Sequence, residues 1–203
     1  MIEALEQAAL RLVSRETFDR LTAYVELLKA ESGRQNLVSA STLGDVWTRH
    51  ILDSAQLLRF ERHAGASWAD VGSGAGLPGI VIACLVDGPV TLIEPRRLRA
   101  DFLRTVVEQL GLNASVEGVK VERVTGKFDV ITARAVASLD RFLGISQHLS
   151  TRNTVWALPK GRNAHSELVE AQRTWQGVFH VEQSVTEADS YIVVGTGVRA
   201  KAA

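Results

Sequence analysis

The apolar positions change their period about a third of the way along the chain. Before that point they recur at helical spacing. Phe18, Leu21, Val25 and Leu28 stand three or four apart and predict an amphipathic helix over Thr17 to Lys29. Leu5, Ala8, Ala9, Leu12 and Val13 predict a shorter helix ahead of it, and Ser32-Gly33 reads as a break. Thr42-Leu43-Gly44-Asp45 reads as a helix start, a capping hydroxyl with an acid three positions on. That helix runs through Val46, His50 and Asp53 to about Leu58.

After Ala64 short apolar runs alternate with amphipathic stretches. Strands are predicted at Ser67 to Val71, Val90 to Ile93, Ala114 to Val116, Phe128 to Thr132 and Asn153 to Leu158. Helices are predicted between them: Pro78 to Val86, Arg96 to Leu110 with Gly111 as its stop, Leu139 to Leu149, and Asn163 to Gln176. Two closing strands, Phe179 to Ser184 and Tyr191 to Val194, have no helix between them, which predicts an antiparallel hairpin at the sheet edge. The alternation implies an α/β, doubly wound, Rossmann-like sheet of seven strands, mostly parallel, with helices on both faces. The boundary falls near Phe60 to Ala66. Residues 1–62 read as a helical N-terminal extension and residues 63–203 as the sheet domain, together one structural unit.

Composition narrows the class further. A hydrophobic share of 46% and a charged share of 23% suit a chain with a real core. Lys plus Arg is 23 and Asp plus Glu is 23, so nucleic acid would have to be met by a local basic patch and not by the overall field. The one cysteine, Cys84, has no internal partner and sits in an apolar helix, so it is expected to be an inert core thiol. No Cys/His spacing suits a metal. The start, Met1-Ile2-Glu3-Ala4-Leu5-Glu6, has neither the basic flank nor the apolar core of a signal peptide. The apolar run Gly79 to Val86 is too short to span a membrane. The expectation is a cytoplasmic protein acting as a monomer, away from membranes and without a metal.

The chemistry is concentrated after the first strand, in Asp70-Val71-Gly72-Ser73-Gly74-Ala75-Gly76-Leu77-Pro78-Gly79. In doubly wound sheets ligands sit beyond the carboxyl ends of the strands. Gly72, Gly74 and Gly76 let the backbone turn sharply and approach a ligand closely. The following helix points its N-terminus at the same place. Glu94 closes the second strand, where a carboxylate suits a ribose diol. Gly74 to Gly79 also fits the dinucleotide pattern G-x-G-x-x-G, but that frame starts two residues late and leaves Gly72 surplus. The frame starting at Gly72 is G-x-G-x-G with Asp70 ahead of it, and an acid there would be badly placed against a pyrophosphate. By its resemblance to motif I of class I methyltransferases, the loop favours S-adenosylmethionine as ligand; a dinucleotide, and a plain glycine turn without a ligand, remain the alternatives.

The acidic-first loop resembles motif I of class I methyltransferases, and six segments in order extend the likeness. They are Asn36-Leu37-Val38-Ser39, Arg49-His50-Ile51-Leu52-Asp53-Ser54, the glycine run with Leu77-Pro78-Gly79, Arg99-Ala100-Asp101-Phe102-Leu103-Arg104, Ala133-Arg134-Ala135-Val136-Ala137-Ser138-Leu139, and Pro159-Lys160-Gly161. From about Leu21 to Gly161 the chain resembles the RsmG (GidB) family, which methylates N7 of a guanine in the 530 loop of 16S ribosomal RNA. The resemblance implies a class I methyltransferase fold and S-adenosylmethionine as cofactor. It implies 16S ribosomal RNA or the 30S particle as partner. It also implies cofactor contacts at Gly72, Leu77, Glu94, Val121, Glu122 and Arg134, to which the loop reading adds Asp70, Gly74 and Gly76. The chain departs from the family where Trp-Asn is common, at Glu31 and Ser32, and where it has a threonine, at Val38.

Guanine N7 carries a lone pair and no proton, so its methylation needs alignment and no general base. No acid/base constellation is evident. The run after the fourth strand, Thr132-Ala133-Arg134-Ala135, lacks the Pro-Pro-aromatic pattern of amino methylation, and no thiolate is set up for cytosine C5 chemistry. Arg134 and Lys160 follow the fourth and fifth strands and are expected to reach one crevice, there to position substrate. Arg96, Arg97, Arg99 and Arg104 form a basic cluster opposed by Asp101 alone, and with Lys160 and Arg162 they are the candidate RNA contacts. Arg49, His50 and Asp53 share a helix face. The four tryptophans read as packing residues and not as base-stacking platforms.

Overall fold

A computed structural model describes residues 1–39, 44–135 and 137–202. Two helices open the chain, α1 (Ile2–Ala9) and α2 (Arg15–Gln35). A third, α3, is continuous but irregular, with a π-helical Trp47–Leu52, an α-helical turn Asp53–Ala55 and a 3-10 turn Gln56–Phe60. The rest alternates: β1 (Trp68–Val71), α4 (Gly79–Leu85), β2 (Val90–Ile93), α5 (Arg97–Leu110), β3 (Ala114–Glu117), β4 (Val130–Thr132), α6 (Leu139–Ser146), β5 (Val155–Lys160), α7 (Ala164–Thr174), β6 (Trp175–Gln183) and β7 (Tyr191–Ala200). The seven strands lie in the order β3-β2-β1-β4-β5-β7-β6. β1 to β5 run parallel, and β7 is antiparallel to both β5 and β6. This is the doubly wound sheet with an edge hairpin that the periodicity implies. No helix among the described residues is long and apolar enough to cross a membrane.

Each strand alternates sides, so the sheet has a core on each face. Trp68, Val90, Leu92, Val130, Val155 and Val194 face one cluster, which also takes Leu5, Leu21, Tyr24 and Leu28 from α1 and α2 and Ile80 from α4. Ala69, Val71, Ile131, Trp156, Leu158 and Val193 face the other, covered by Leu139, Phe142 and Leu143 of α6 and Leu168 and Ala171 of α7. Trp68, Trp156 and Trp175 are buried, and Trp47 stacks on Phe18 with centroids 5.2 Å apart. All four tryptophans therefore serve packing.

Three local expectations need correction. The Ser32-Gly33 break does not occur, and α2 runs on to Gln35. The Ser32 hydroxyl bonds back to the Leu28 carbonyl at 2.7 Å, so the serine satisfies itself within the helix, and a helical glycine costs only about 1 kcal/mol. The helix stops at Asn36, whose left-handed φ of 51° makes it the C-cap. At the other end Val13 lies outside α1, which ends at Leu10 in the left-handed region. The expected start at Thr42-Leu43 lies outside the described residues; helical structure is described from Val46 onward. Finally, β6 begins at Trp175, directly where α7 ends, and β7 extends to Ala200, so both hairpin strands are longer than their apolar runs. Ladder pairing carries them beyond those runs, and Trp175 and Val198, buried in the second core cluster, anchor the added lengths.

Candidate active site

The loop after β1 is shaped from beneath by groups that face away from solvent. Asp70 is fully buried, and its Oδ2 accepts the Gly79 N–H at 3.0 Å, which ties the strand to the first turn of α4. Burial raises this carboxyl from 3.8 to about 7, although the Ser73 and Gly79 hydrogen bonds pull the other way. Asp70 therefore holds the loop's shape and does not present its carboxylate to a ligand. The Tyr24 hydroxyl donates to the Ala75 carbonyl at 2.9 Å from α2. Burial pushes that hydroxyl well above its ordinary value, so it stays a donor. Gly76, at φ 97°, packs where a Cβ would stand 2.6 Å from Ile80 and 3.1 Å from both Leu103 and the Tyr24 hydroxyl. Leu77 is buried beside it.

The open side of the loop belongs to Gly72 and Gly74, with φ of 75° and 56°. Both are partly exposed. Glu94, at the end of β2, lies across them. Its Oε2 accepts the Gly74 N–H and its Oε1 the Arg96 N–H, each at 2.9 Å. Val121 opens a 3-10 turn after β3 and is buried in the cluster of Val71 and Ile93, the last residues of β1 and β2; Glu122 beside it is exposed. Gly72, Gly74, Glu94 and Val121 thus stand at the C-terminal ends of adjacent strands.

A cavity of about 630 Å³ lies beyond the ends of β4 and β5. Arg134, Lys160, Asp53 and Glu167 line it together with Pro159, Ser138 and Tyr191. Arg134 reaches back to α3, its Nη1 standing 3.5 Å from Asp53 Oδ2 and 3.2 Å from His50 Nδ1. Asp53 is itself held, because its Oδ1 accepts from Gln56 at 2.8 Å and from Thr186 at 2.9 Å, in the turn between β6 and β7. Burial, then the Arg134 guanidinium, push His50 down from 6.5 to about 4, so it is neutral at pH 7. Ala135, at φ 53°, turns the chain sharply after Arg134. Lys160 donates to Glu167 Oε2 at 2.9 Å and to the Ala137 carbonyl at 3.1 Å. Arg134 and Lys160 do share one crevice, as their strand-end positions imply, and the helix carrying Arg49, His50 and Asp53 docks on it.

A family model for rRNA small subunit methyltransferase G matches residues 17–192. The chain belongs to that family. Proteins named ribosomal RNA small subunit methyltransferase G from Sphingopyxis alaskensis and Erythrobacter litoralis are similar to it along most of their length. The first is 49% identical over 91% of this chain and 80% of its own length. The second is 46% identical over 99% and 100%. Solved structures share the fold. A SAM-dependent methyltransferase from Aquifex aeolicus superposes with a TM-score of 0.59 at 16% identity, covering 75% of this chain and 92% of that one. A ribosomal protein L11 methylase from Lactobacillus delbrueckii subsp. bulgaricus gives 0.58 at 15%, covering 76% and 79%. As a member of that family, the chain is an S-adenosylmethionine-dependent ribosomal RNA methyltransferase.

The glycine loop fits that cofactor. Each Glu94 oxygen accepts one backbone N–H, and a carboxylate oxygen has a second lone pair left for a ribose hydroxyl. Gly72 and Gly74 leave their backbone open beside it. The candidate RNA contacts are dispersed. Arg96 and Arg97 are exposed at the start of α5, and Arg99 approaches Gly74, 3.6 Å from where its Cβ would be. Arg104 turns to Asp101 at 2.8 Å and lies against Gly118, and Arg162 is exposed past β5. Cys84 is buried, and burial pushes its thiol up to about 12, which fits an inert core residue. Two residues of the site escape a reading of the sequence. Tyr24 falls on the apolar stripe of α2, where spacing would have found it. Glu167 sits on α7 among polar neighbours, with no local signal.

Proposed function

We propose that the protein transfers the methyl group of S-adenosylmethionine to N7 of a guanine in the 530 loop of 16S ribosomal RNA, guanine 527 in the family's usual naming. The observation that most supports this reading is the state of the acids facing the cavity. Asp53 is paired with Arg134 and Glu167 with Lys160, so each acid facing the cavity already has a cationic partner. His50 is a poor acceptor near pH 7. A site without a poised base suits a nucleophile that carries a lone pair and no proton.

Gly72, Gly74, Leu77, Glu94, Val121, Glu122 and Arg134 would hold the cofactor, with Asp70 and Gly76 fixing the loop under it. When bound, the cofactor supplies an electrophilic methyl. The chain's own part is to orient the base, exclude water and keep anions away from the reacting centre, so that the acceptor atom lies in line with the transferred group. Arg134 keeps Asp53 neutralised there. The exposed arginines of α5 and Arg162 would meet phosphates around the cavity. The reading takes 16S ribosomal RNA or the 30S particle as substrate and a cytoplasmic monomer as the acting form, with residues 1–62 as an extension of the catalytic part.

Labelled methyl transfer to undermethylated 30S particles and to naked 16S RNA, followed by nuclease digestion and mass mapping, tests it. Label recovered as 7-methylguanosine in the 530 loop supports the proposal. Label at another atom or another loop overturns it, as does no transfer from protein that still binds S-adenosylhomocysteine.

A further inference from the structure

The pair Lys160 and Glu167 has bonding capacity that its own contacts do not use. Lys160 Nζ carries three protons and spends two, on Ala137 and Glu167. Glu167 Oε2 takes two donors, the Lys160 ammonium and the Leu139 N–H at the start of α6. No bond to Glu167 Oε1 is made among the described residues. The two side chains are 12% and 30% exposed, and both line the cavity. A spare cationic donor and an open carboxylate oxygen therefore face the same space, side by side.

We propose that Lys160 and Glu167 recognise the Watson–Crick edge of the acceptor guanine. This inference rests on the functional reading above. Guanine presents an acceptor, O6, next to two donors, N1–H and the N2 amine. Lys160 supplies the donor to O6, and the open Glu167 oxygen would accept from N1–H and the N2 amine together. Adenine inverts the first two positions, offering an amine to the ammonium and a lone pair to the carboxylate, and is rejected on both counts. Gripping the base by this edge leaves N7 uncovered on the other side of O6. Tyr191 stands opposite Lys160 in the β5–β7 ladder and lines the same cavity, giving the base an aromatic neighbour.

Glu167 also caps α6, so loss of activity alone would not separate recognition from support. The test is a ratio. 30S particles are reconstituted with 16S RNA carrying guanosine, inosine or 2-aminopurine at the position the wild-type protein methylates, and kcat/KM is measured for each. Inosine lacks the N2 amine; 2-aminopurine lacks O6 and N1–H. The wild type is expected to prefer guanosine over each analogue by about tenfold to a hundredfold. In Glu167→Gln the preference over inosine should shrink to within about threefold. In Lys160→Gln the preference over 2-aminopurine should shrink likewise. S-adenosylhomocysteine affinity, unchanged within about twofold, shows that each variant is folded. If one variant fails that control, the other decides. Equal losses on all three substrates, or unchanged preferences, overturn the inference. A wild type that methylates no guanine in these particles overturns the functional reading instead.

Discussion

At the glycine loop one contiguous run supplies the shape, steadied from outside by Tyr24 and Glu94, whereas the cavity beyond β4 and β5 is shaped by side chains far apart in the chain. The loop residues from Asp70 to Gly79 are contiguous, and the Asp70 to Gly79 bond closes on itself within that run. Arg134 is held from α3 and the β6–β7 turn, and Lys160 from α7. On the proposed reading, the difference follows from what each half would do. A cofactor common to many enzymes can be met by one local device. An acceptor base in a particular RNA needs charged groups set from several directions, and only tertiary pairing provides that. The comparison predicts that single changes in the loop act on folding and cofactor binding, and that changes at the cavity act on transfer through coupled pairs.

The largest effect belongs to Gly76→Ala. Its methyl would meet Ile80 at 2.6 Å and would sit on a residue with φ 97°, so overpacking and left-handed strain add. A loss of about 3 kcal/mol is expected by urea denaturation. A loss below about 1 kcal/mol would show that the loop yields and that its shape is not held from beneath.

Asp70 adds a pH dependence to the same half. Its pKa is raised by burial to about 7 in the folded protein from 3.8, so between these values the folded state binds the proton that the unfolded state has lost. This contribution to stability is complete below about pH 4 and declines as pH rises to about 7, then levels. Asp70→Asn keeps an acceptor for the Gly79 N–H and should flatten that part of the stability profile. An unchanged slope would move its origin to another group.

Glu94→Ala comes next. It removes the carboxylate that would meet the ribose and frees the Gly74 and Arg96 N–H groups it now holds. S-adenosylhomocysteine affinity by calorimetry should fall about tenfold to a hundredfold, the worth of one to two charge-assisted hydrogen bonds. Binding within twofold of wild type would take the cofactor away from this strand end.

The cavity side predicts coupling. Asp53→Asn and Arg134→Gln, alone and combined, should show an interaction energy of about 1 kcal/mol in the transition-state free energy of methyl transfer. The pair is largely shielded, at 22% and 18% side-chain exposure, so it is worth more than a surface contact. Additive effects would mean that the two act independently and that α3 does not position Arg134.

How much of this was legible in the sequence follows the same division. The strand–helix alternation, the edge hairpin and the loop's register could all be read, because period and glycine placement are local signals. Glu94 could be read because strand ends are fixed relative to the loop. Asp70 was legible as part of the loop but not in its role, since an acid before glycines looks the same whether it faces ligand or helix. Glu167 and Thr186 were not legible at all. Their partners lie across a sheet whose pairing only the folded chain reveals. The extent of α2 was misread at Ser32-Gly33 because the Ser32 hydroxyl finds its acceptor within the helix.

The smallest stability effect, and the most specific binding effect, is expected at the basic helix α5, beside the glycine loop. Arg97 and Arg104 each contact Asp101, at 3.7 and 2.8 Å, and all three side chains are half-exposed or more. Such pairs contribute little, so Arg97→Gln and Arg104→Gln should each change stability by less than about 0.5 kcal/mol. The chain as a whole carries no net charge, so whatever draws it to RNA must be local. If these arginines meet phosphates, each neutralisation should lower the slope of log affinity against log salt by about 1. The slope, and not the affinity at one salt concentration, separates a phosphate contact from a general weakening. Asp101→Asn should act in the opposite sense on affinity, since it releases both arginines from the acid between them. Equal slopes for wild type and all three variants would show that α5 carries a solvated charge run, and would leave RNA contact to the cavity rim around Lys160 and Arg162.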